Sequence, residues 1–100
     1  MSKGVTITLV FTLKPEAVDP FCKGLPEMLK DTKKFAGFRN IRIVRHKTDT
    51  NQVAFIEEWD SEDAYNKYIA WRTERGDMDA MAGILAGPPK MDVWPTVVAD

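Results

Sequence analysis

Between positions 55 and 72 the sequence gathers aromatic and cationic side chains: Phe55, Trp59, Tyr65, Tyr68, Trp71 and Arg72. Aromatic walls, a phenol donor and one cation suit a site that holds an apolar aromatic molecule away from water and stabilises an oxyanion formed on it. Strand alternation puts Val53, Phe55, Glu57 and Trp59 on one face. Tyr65 and Tyr68, three residues apart, share one helix face. Each of these residues also has a packing reading. Trp59 serves equally as a core residue ending a strand, Tyr68 as a packing ring, and Arg72 as a solvated partner of Glu62 or Asp63. Tyr65 has the stronger site case, because the hydroxyl of a buried ring needs a partner or a cavity. Trp71 is out of line with Tyr65 and reads as an interface or lid residue.

Met28, Met78 and Met81 recur at helical spacing and read either as core or as the lining of an adaptable pocket. Glu57 and Glu58 place one carboxylate on each sheet face. Buried on the Trp59 side, such a carboxylate could act as a general base; at the surface or a dimer contact it would form a salt bridge. His46, the only histidine, ends a strand between Arg45 and Lys47 and reads as a solvated surface residue. Cys22 is the only cysteine, which excludes an internal disulfide and a Cys-rich zinc site. There is no phosphate-binding Gly-rich loop, no metal-ligand cluster and no Ser-His-Asp set.

The elements that must position these residues follow from periodicity. Val5, Ile7, Leu9, Phe11 and Leu13 alternate with Thr6, Thr8, Val10 and Thr12, which predicts a strand over 5–13. From Val18 the spacing changes to three and four through Phe21, Cys22, Leu25, Met28, Leu29 and Phe35, with Thr32 in the stripe, which predicts a helix. Asp19-Pro20 is expected to cap it, and Pro26 to kink it or delay its start. Ala36-Gly37 ends it. Strands are expected over 38–46 and 52–59, joined by a polar turn. A second helix is capped by Asp60 or Ser61, with Ala64, Tyr65, Tyr68, Ile69 and Arg72 inward. Gly76 interrupts it, and a short helical piece over 77–85 turns Met78, Met81 and Leu85 inward. Gly87-Pro88-Pro89 forbids more helix, and the last strand is expected over 91–98.

The order β-α-β-β-α-β defines an α+β, ferredoxin-like fold: a four-stranded antiparallel sheet with the helices on one face. One hundred residues is read as one domain over 1–100. A chain this short buries only roughly 60% of its unfolded surface, so dimerisation is a natural way to gain burial. Val10, Val44, Ala54 and Ile56 make the far sheet face partly apolar, and a second copy of the sheet is its simplest cover. The predicted state is a homodimer formed through the sheet faces and the last strand. Net charge is −1, which offers no basic footprint for nucleic acid and no polybasic patch for acidic lipid. No apolar run approaches the ~20 residues of a membrane helix, no signal-peptide pattern is visible, and a cytoplasmic location is expected.

The run Trp59-Asp60-Ser61-Glu62-Asp63-Ala64-Tyr65, the opening strand followed by Lys14-Pro15-Glu16, and Gly87-Pro88-Pro89-Lys90 before the last strand resemble the antibiotic biosynthesis monooxygenase family, in particular its actinorhodin-pathway anthrone monooxygenase branch. The resemblance implies a dimeric α+β barrel with a pocket between sheet and helices. It implies oxygenation of an electron-rich polycyclic phenol or anthrone by molecular oxygen, with neither flavin nor metal. The pocket Trp and Tyr of that branch fall on Trp59 and Tyr65, giving them catalytic roles, with Arg72 (or Arg75) as the nearest match to a helix Arg. Phe55, Tyr68, Met28, Met78 and Met81 become the substrate-binding set. The branch's pocket Asn falls on Phe55, so that amide is absent. The Asn, Trp and His of haem-degrading relatives fall on Thr8, Tyr68 and Met78, which supply no axial ligand. A non-catalytic small-molecule-binding or stress-response domain of the same fold is the alternative reading.

Overall fold

Alternation of β-branched and apolar residues builds the strand β1, Val5–Thr12, at the centre of the sheet. The computed structural model describes residues 4–100. After β1 come a short 3-10 turn, Pro15–Ala17, and the helix α1, Val18–Lys34. The hairpin β2, Phe38–Arg45, and β3, Gln52–Trp59, leads into α2, Glu62–Glu74, and α3, Asp77–Ala82; β4, Lys90–Trp94, closes the sheet. All strand pairs are antiparallel in the order β2-β3-β1-β4. This is the ferredoxin-like α+β arrangement.

Register fixes the two faces. Ile7 pairs with Glu57 and Val93, and Leu9 with Phe55 and Met91, so these side chains share the helix-covered side. Thr6, Thr8, Val10, Ala54, Ile56, Arg42, Val44 and Trp94 share the other. The helix side carries two apolar clusters. One is built on Val5, Ile7, Trp59, Tyr65 and Tyr68, the other on Phe11, Leu13, Val18, Val53 and Phe55. Half-buried Leu9 packs against both.

Local chemistry sets the boundaries. Ser61 caps α2, its Oγ accepting from the Ala64 N–H at 3.1 Å. Gly37 turns the chain after α1 at φ +91°, and a Cβ there would lie 2.5 Å from the Ala64 Cβ, so this close approach of α2 requires glycine. Three expectations need correction. The residue flanking α1 at its N-terminus is Ala17 rather than Asp19, because the 3-10 turn at Pro15 feeds directly into the helix. Pro26 lies inside α1 without delaying its start, exposed on the solvent side. β4 ends at Trp94 instead of running to Val98, because Pro95 has no N–H to continue the ladder.

Candidate functional site

The C-terminal end of β3 and the inner face of α2 bring the predicted aromatic residues together. Trp59 and Tyr65 lie on the same side of the sheet, with ring centroids 5.8 Å apart at 71°. Tyr68 lies 4.9 Å from the Trp59 ring. Phe35, at the end of α1, closes the cluster edge-on against Trp59 and Tyr68. Trp59 and Tyr65 are almost fully buried, at 0% and 1% exposure. Half-buried Trp71 packs against Phe35 with ring centroids 5.6 Å apart, and the Arg72 and Arg75 guanidinium groups lie 4.9 and 4.7 Å from its ring. A shallow surface depression of about 230 Å³ lies over Phe35 and Trp71, bordered by Asp31 and Lys34.

Arg72 is buried and joins three helices. Its Nε donates to the Tyr68 hydroxyl at 2.9 Å, and its Nη2 donates to the Met28 carbonyl and the Thr32 hydroxyl, each at 3.0 Å. Its Nη1 donates to Asp77 Oδ2 at 2.9 Å. Thr32 and Tyr68 hydrogen bond to each other at 2.8 Å. The expected ion pair with Glu62 or Asp63 is replaced by this pair with Asp77, and Asp63 instead pairs with Lys67. The cause is geometric: Gly76, at φ +83°, turns the chain so that α3 starts beside the end of α2. Burial works against the guanidinium charge, yet the hydrogen bonds to Asp77 and Tyr68 outweigh it and hold the Arg72 pKa above its usual value.

Glu57 is the one buried carboxylate among the described residues, at 3% exposure. The Trp59 Nε1–H donates to its Oε1 at 3.1 Å. Burial raises the Glu57 pKa, while the Trp59 hydrogen bond and the Arg72 charge pull in the other direction. Burial also raises the Tyr65 pKa, helped by Glu57 and Tyr68, so this phenol holds its proton at neutral pH.

The substrate-binding candidates divide. Tyr68 belongs to the Trp59 cluster. Phe55, Met28 and Met81 belong to the second cluster, where Phe55 packs edge-on against Phe11 at 5.1 Å. Met78 is half-buried on α3. Thr8 lies on the opposite sheet face, where its hydroxyl accepts from the Trp94 indole, so Thr8 and Tyr68 do not share a site. His46 is exposed in the β2–β3 turn, its Nδ1 accepting from the Thr48 and Asp49 N–H groups. Among the described residues no group of three or more His, Cys, Asp or Glu is placed to hold a metal. No described helix is long and apolar enough to cross a membrane.

Sequence reasoning did not assign Thr32 and Asp77 to this network. Thr32 offered a signal as the polar member of an apolar stripe, whereas Asp77 offered none, since its role depends on the turn at Gly76.

The fold and the aromatic cluster define a small ferredoxin-like α+β protein whose aromatic core lies between the sheet and its helices. Residues 4–73 match the family model described as antibiotic biosynthesis monooxygenase, and the chain belongs to that family. No curated relative matches the sequence. Among solved structures, the chain is similar to SnoaB, a cofactor-independent oxygenase from Streptomyces nogalater, at 17% identity and TM-score 0.82, covering 99% of this chain and 97% of that one. It is also similar to the monooxygenase of the gene ActVA-Orf6 from Streptomyces coelicolor, solved with nanaomycin D, at 20% identity and TM-score 0.75, covering 97% and 90% of the two chains. A conserved protein from Methanosarcina mazei matches with TM-score 0.83 at 15% identity, over 94% and 93%.

Proposed function

We propose that this chain is a cofactor-independent monooxygenase that oxidises an electron-rich polycyclic phenol, anthrone or quinol with molecular oxygen, and that it works as a homodimer. The observation that carries the reading is the buried Trp59–Tyr65–Tyr68 cluster, joined to the Arg72 cation through the Tyr68 hydroxyl. Oxygen takes an electron more readily from an aromatic anion than from the neutral phenol. Aromatic walls exclude water, and a phenol donor with a nearby cation stabilises that anion. For an anthrone, one oxygen atom enters the ring methylene as a ketone and the other leaves as water. Trp59 and Tyr65 line the reacting ring, and Arg72 supplies positive charge. Kinship with a family named for monooxygenases supports the activity, and the partly apolar open sheet face supports the dimer.

The test is oxygen uptake by the purified chain with dithranol, a dihydroxyanthrone, without added metal or reductant. Uptake with formation of the matching quinone is the expected result. One observation favours a second reading, a non-catalytic binding domain. Phe55, where the anthrone branch has an amide, is packed at 6% exposure among apolar side chains. Binding of dithranol without oxygen uptake would establish that reading.

A further inference from the structure

We propose that Glu57 is the proton acceptor of this site: its carboxylate takes the proton of a bound phenol, and Trp59 positions it. The inference rests on the proposed aromatic-oxidising function and adds the group that creates the substrate anion. Glu57 stands on the helix side of β3 between Phe55, which belongs to one apolar cluster, and Trp59, which belongs to the other. Its cross-strand neighbours are Ile7 and Ile41. An ionisable group at such a place is costly and needs partners. Trp59 satisfies Oε1, while no hydrogen bond from the described residues engages Oε2. Half-buried Leu9, diagonal to Glu57 on β1, marks the seam between the clusters where the carboxylate stands.

The titratable and charged groups acting on Glu57 come from α2: Arg72, which favours its ionised form, and Tyr65, whose own ionisation Glu57 opposes. The β1 and β2 neighbours are apolar, and α1 contributes the neutral Thr32 through the Arg72 network. A buried carboxylate whose pKa is raised is a better base than a solvated one, because efficiency grows as its pKa approaches working pH. In the step, the O–H bond of a phenol or enolised anthrone breaks, its electron pair stays on the substrate oxygen, and the proton joins a Glu57 oxygen. Molecular oxygen, the oxidant, forms a C–O bond to the ring carbon of the anion. Glu57 returns the proton to the outer oxygen of the resulting peroxide. As the O–O bond breaks, the remaining hydrogen of that carbon leaves with this oxygen as water, and the carbon becomes a ketone. The carboxylate is thereby regenerated.

The test compares the wild type with Glu57→Gln and Glu57→Asp, in two measurements. In dithranol turnover followed across pH, the wild type should show an acid limb. Glu57→Gln should lose that limb and lower kcat on the order of a hundredfold. Glu57→Asp should recover part of the rate with a displaced limb. In naphthol binding from about pH 5 to 8, where the phenol stays neutral, wild-type affinity should fall towards acid pH, and Glu57→Gln should bind several-fold more weakly without pH dependence. A Glu57→Gln variant that keeps the wild-type acid limb, or binds naphthol with unchanged affinity and pH profile, overturns the proposal. Should that variant fail to fold, an unmoved limb in Glu57→Asp does the same. If the wild type neither binds naphthol nor consumes oxygen, the aromatic reading itself falls and takes this one with it. That pattern is distinct from binding and turnover that ignore position 57.

Discussion

Trp59 donates its indole N–H to Glu57, two residues earlier on the same strand face, at 3.1 Å, and both side chains are buried. The pair links the largest fully buried side chain to the one buried carboxylate among the described residues. A change at either therefore acts on packing and on ionisation together.

The first prediction concerns stability and pH. The folded-state pKa of Glu57 is raised above its ordinary 4.5, so the folded chain holds this proton more tightly than the unfolded one. The resulting stabilisation is fully present below the unfolded pKa and is lost as pH rises through the folded value. Glu57→Gln mimics the protonated form at every pH. Its melting temperature relative to the wild type should therefore climb from acid towards neutral pH. A difference that stays flat over that window in thermal melts would show that Glu57 is not buried in this way.

The second prediction separates site from core. Tyr65→Phe keeps the ring and removes a hydroxyl whose proton burial retains. It should lower dithranol turnover roughly tenfold to a hundredfold, the scale of one lost oxyanion donor, with little change in melting temperature. Trp59→Ala should destabilise the fold by about 3–5 kcal/mol, because a fully buried ring leaves a cavity and Glu57 loses its donor. Unchanged turnover in Tyr65→Phe would remove Tyr65 from the chemistry.

These residues also mark how far the sequence alone could be read. Strict alternation in β1 and β3 revealed the faces, and helical spacing revealed which side of α2 points inward. That Phe55 and Trp59 serve different clusters was harder to read: they share a face, yet four residues of strand separate them by about 13 Å. The Arg72–Asp77 pair depends on the left-handed turn at Gly76, which local spacing does not specify. The apolar Val97-Val98 imitated a strand, although Pro95 had already ended the ladder.

The third prediction tests the Arg72 network. Arg72→Met would strip a donor from the Tyr68 and Thr32 hydroxyls and from the Met28 carbonyl, and would leave Asp77 without its shortest ion-pair partner. Breaking such a buried constellation should cost about 3–5 kcal/mol in urea unfolding. Arg72→Lys should recover only part of this, because an ammonium lacks the planar fork that reaches four acceptors. Asp77→Asn retains an acceptor on a half-exposed residue and should cost far less, within about 1 kcal/mol. Equal losses in Arg72→Met and Asp77→Asn would mean that the ion pair, and not the bonds to α1, holds the helices together.

The fourth prediction concerns the uncovered side of the sheet. Val44 and Trp94 are 40% and 57% exposed there, and the Trp94 indole lies across β1, donating to the Thr8 hydroxyl at 2.9 Å. Half-buried Val10, Ala54 and Ile56 continue the apolar surface between them. Wrapped against a second copy, these side chains would leave water, at roughly 25 cal/mol for each Å² of apolar area covered. The wild type should therefore sediment at micromolar concentration with twice the 11.3 kDa chain mass. Val44→Asp would force two carboxylates into such an interface, where unpaired buried charge is costly. It should yield monomers whose far-ultraviolet circular dichroism is unchanged, because Val44 lies outside both helix-side clusters. A wild type that sediments as a monomer, or a Val44→Asp variant that remains dimeric, would show that this face is not the one two copies share.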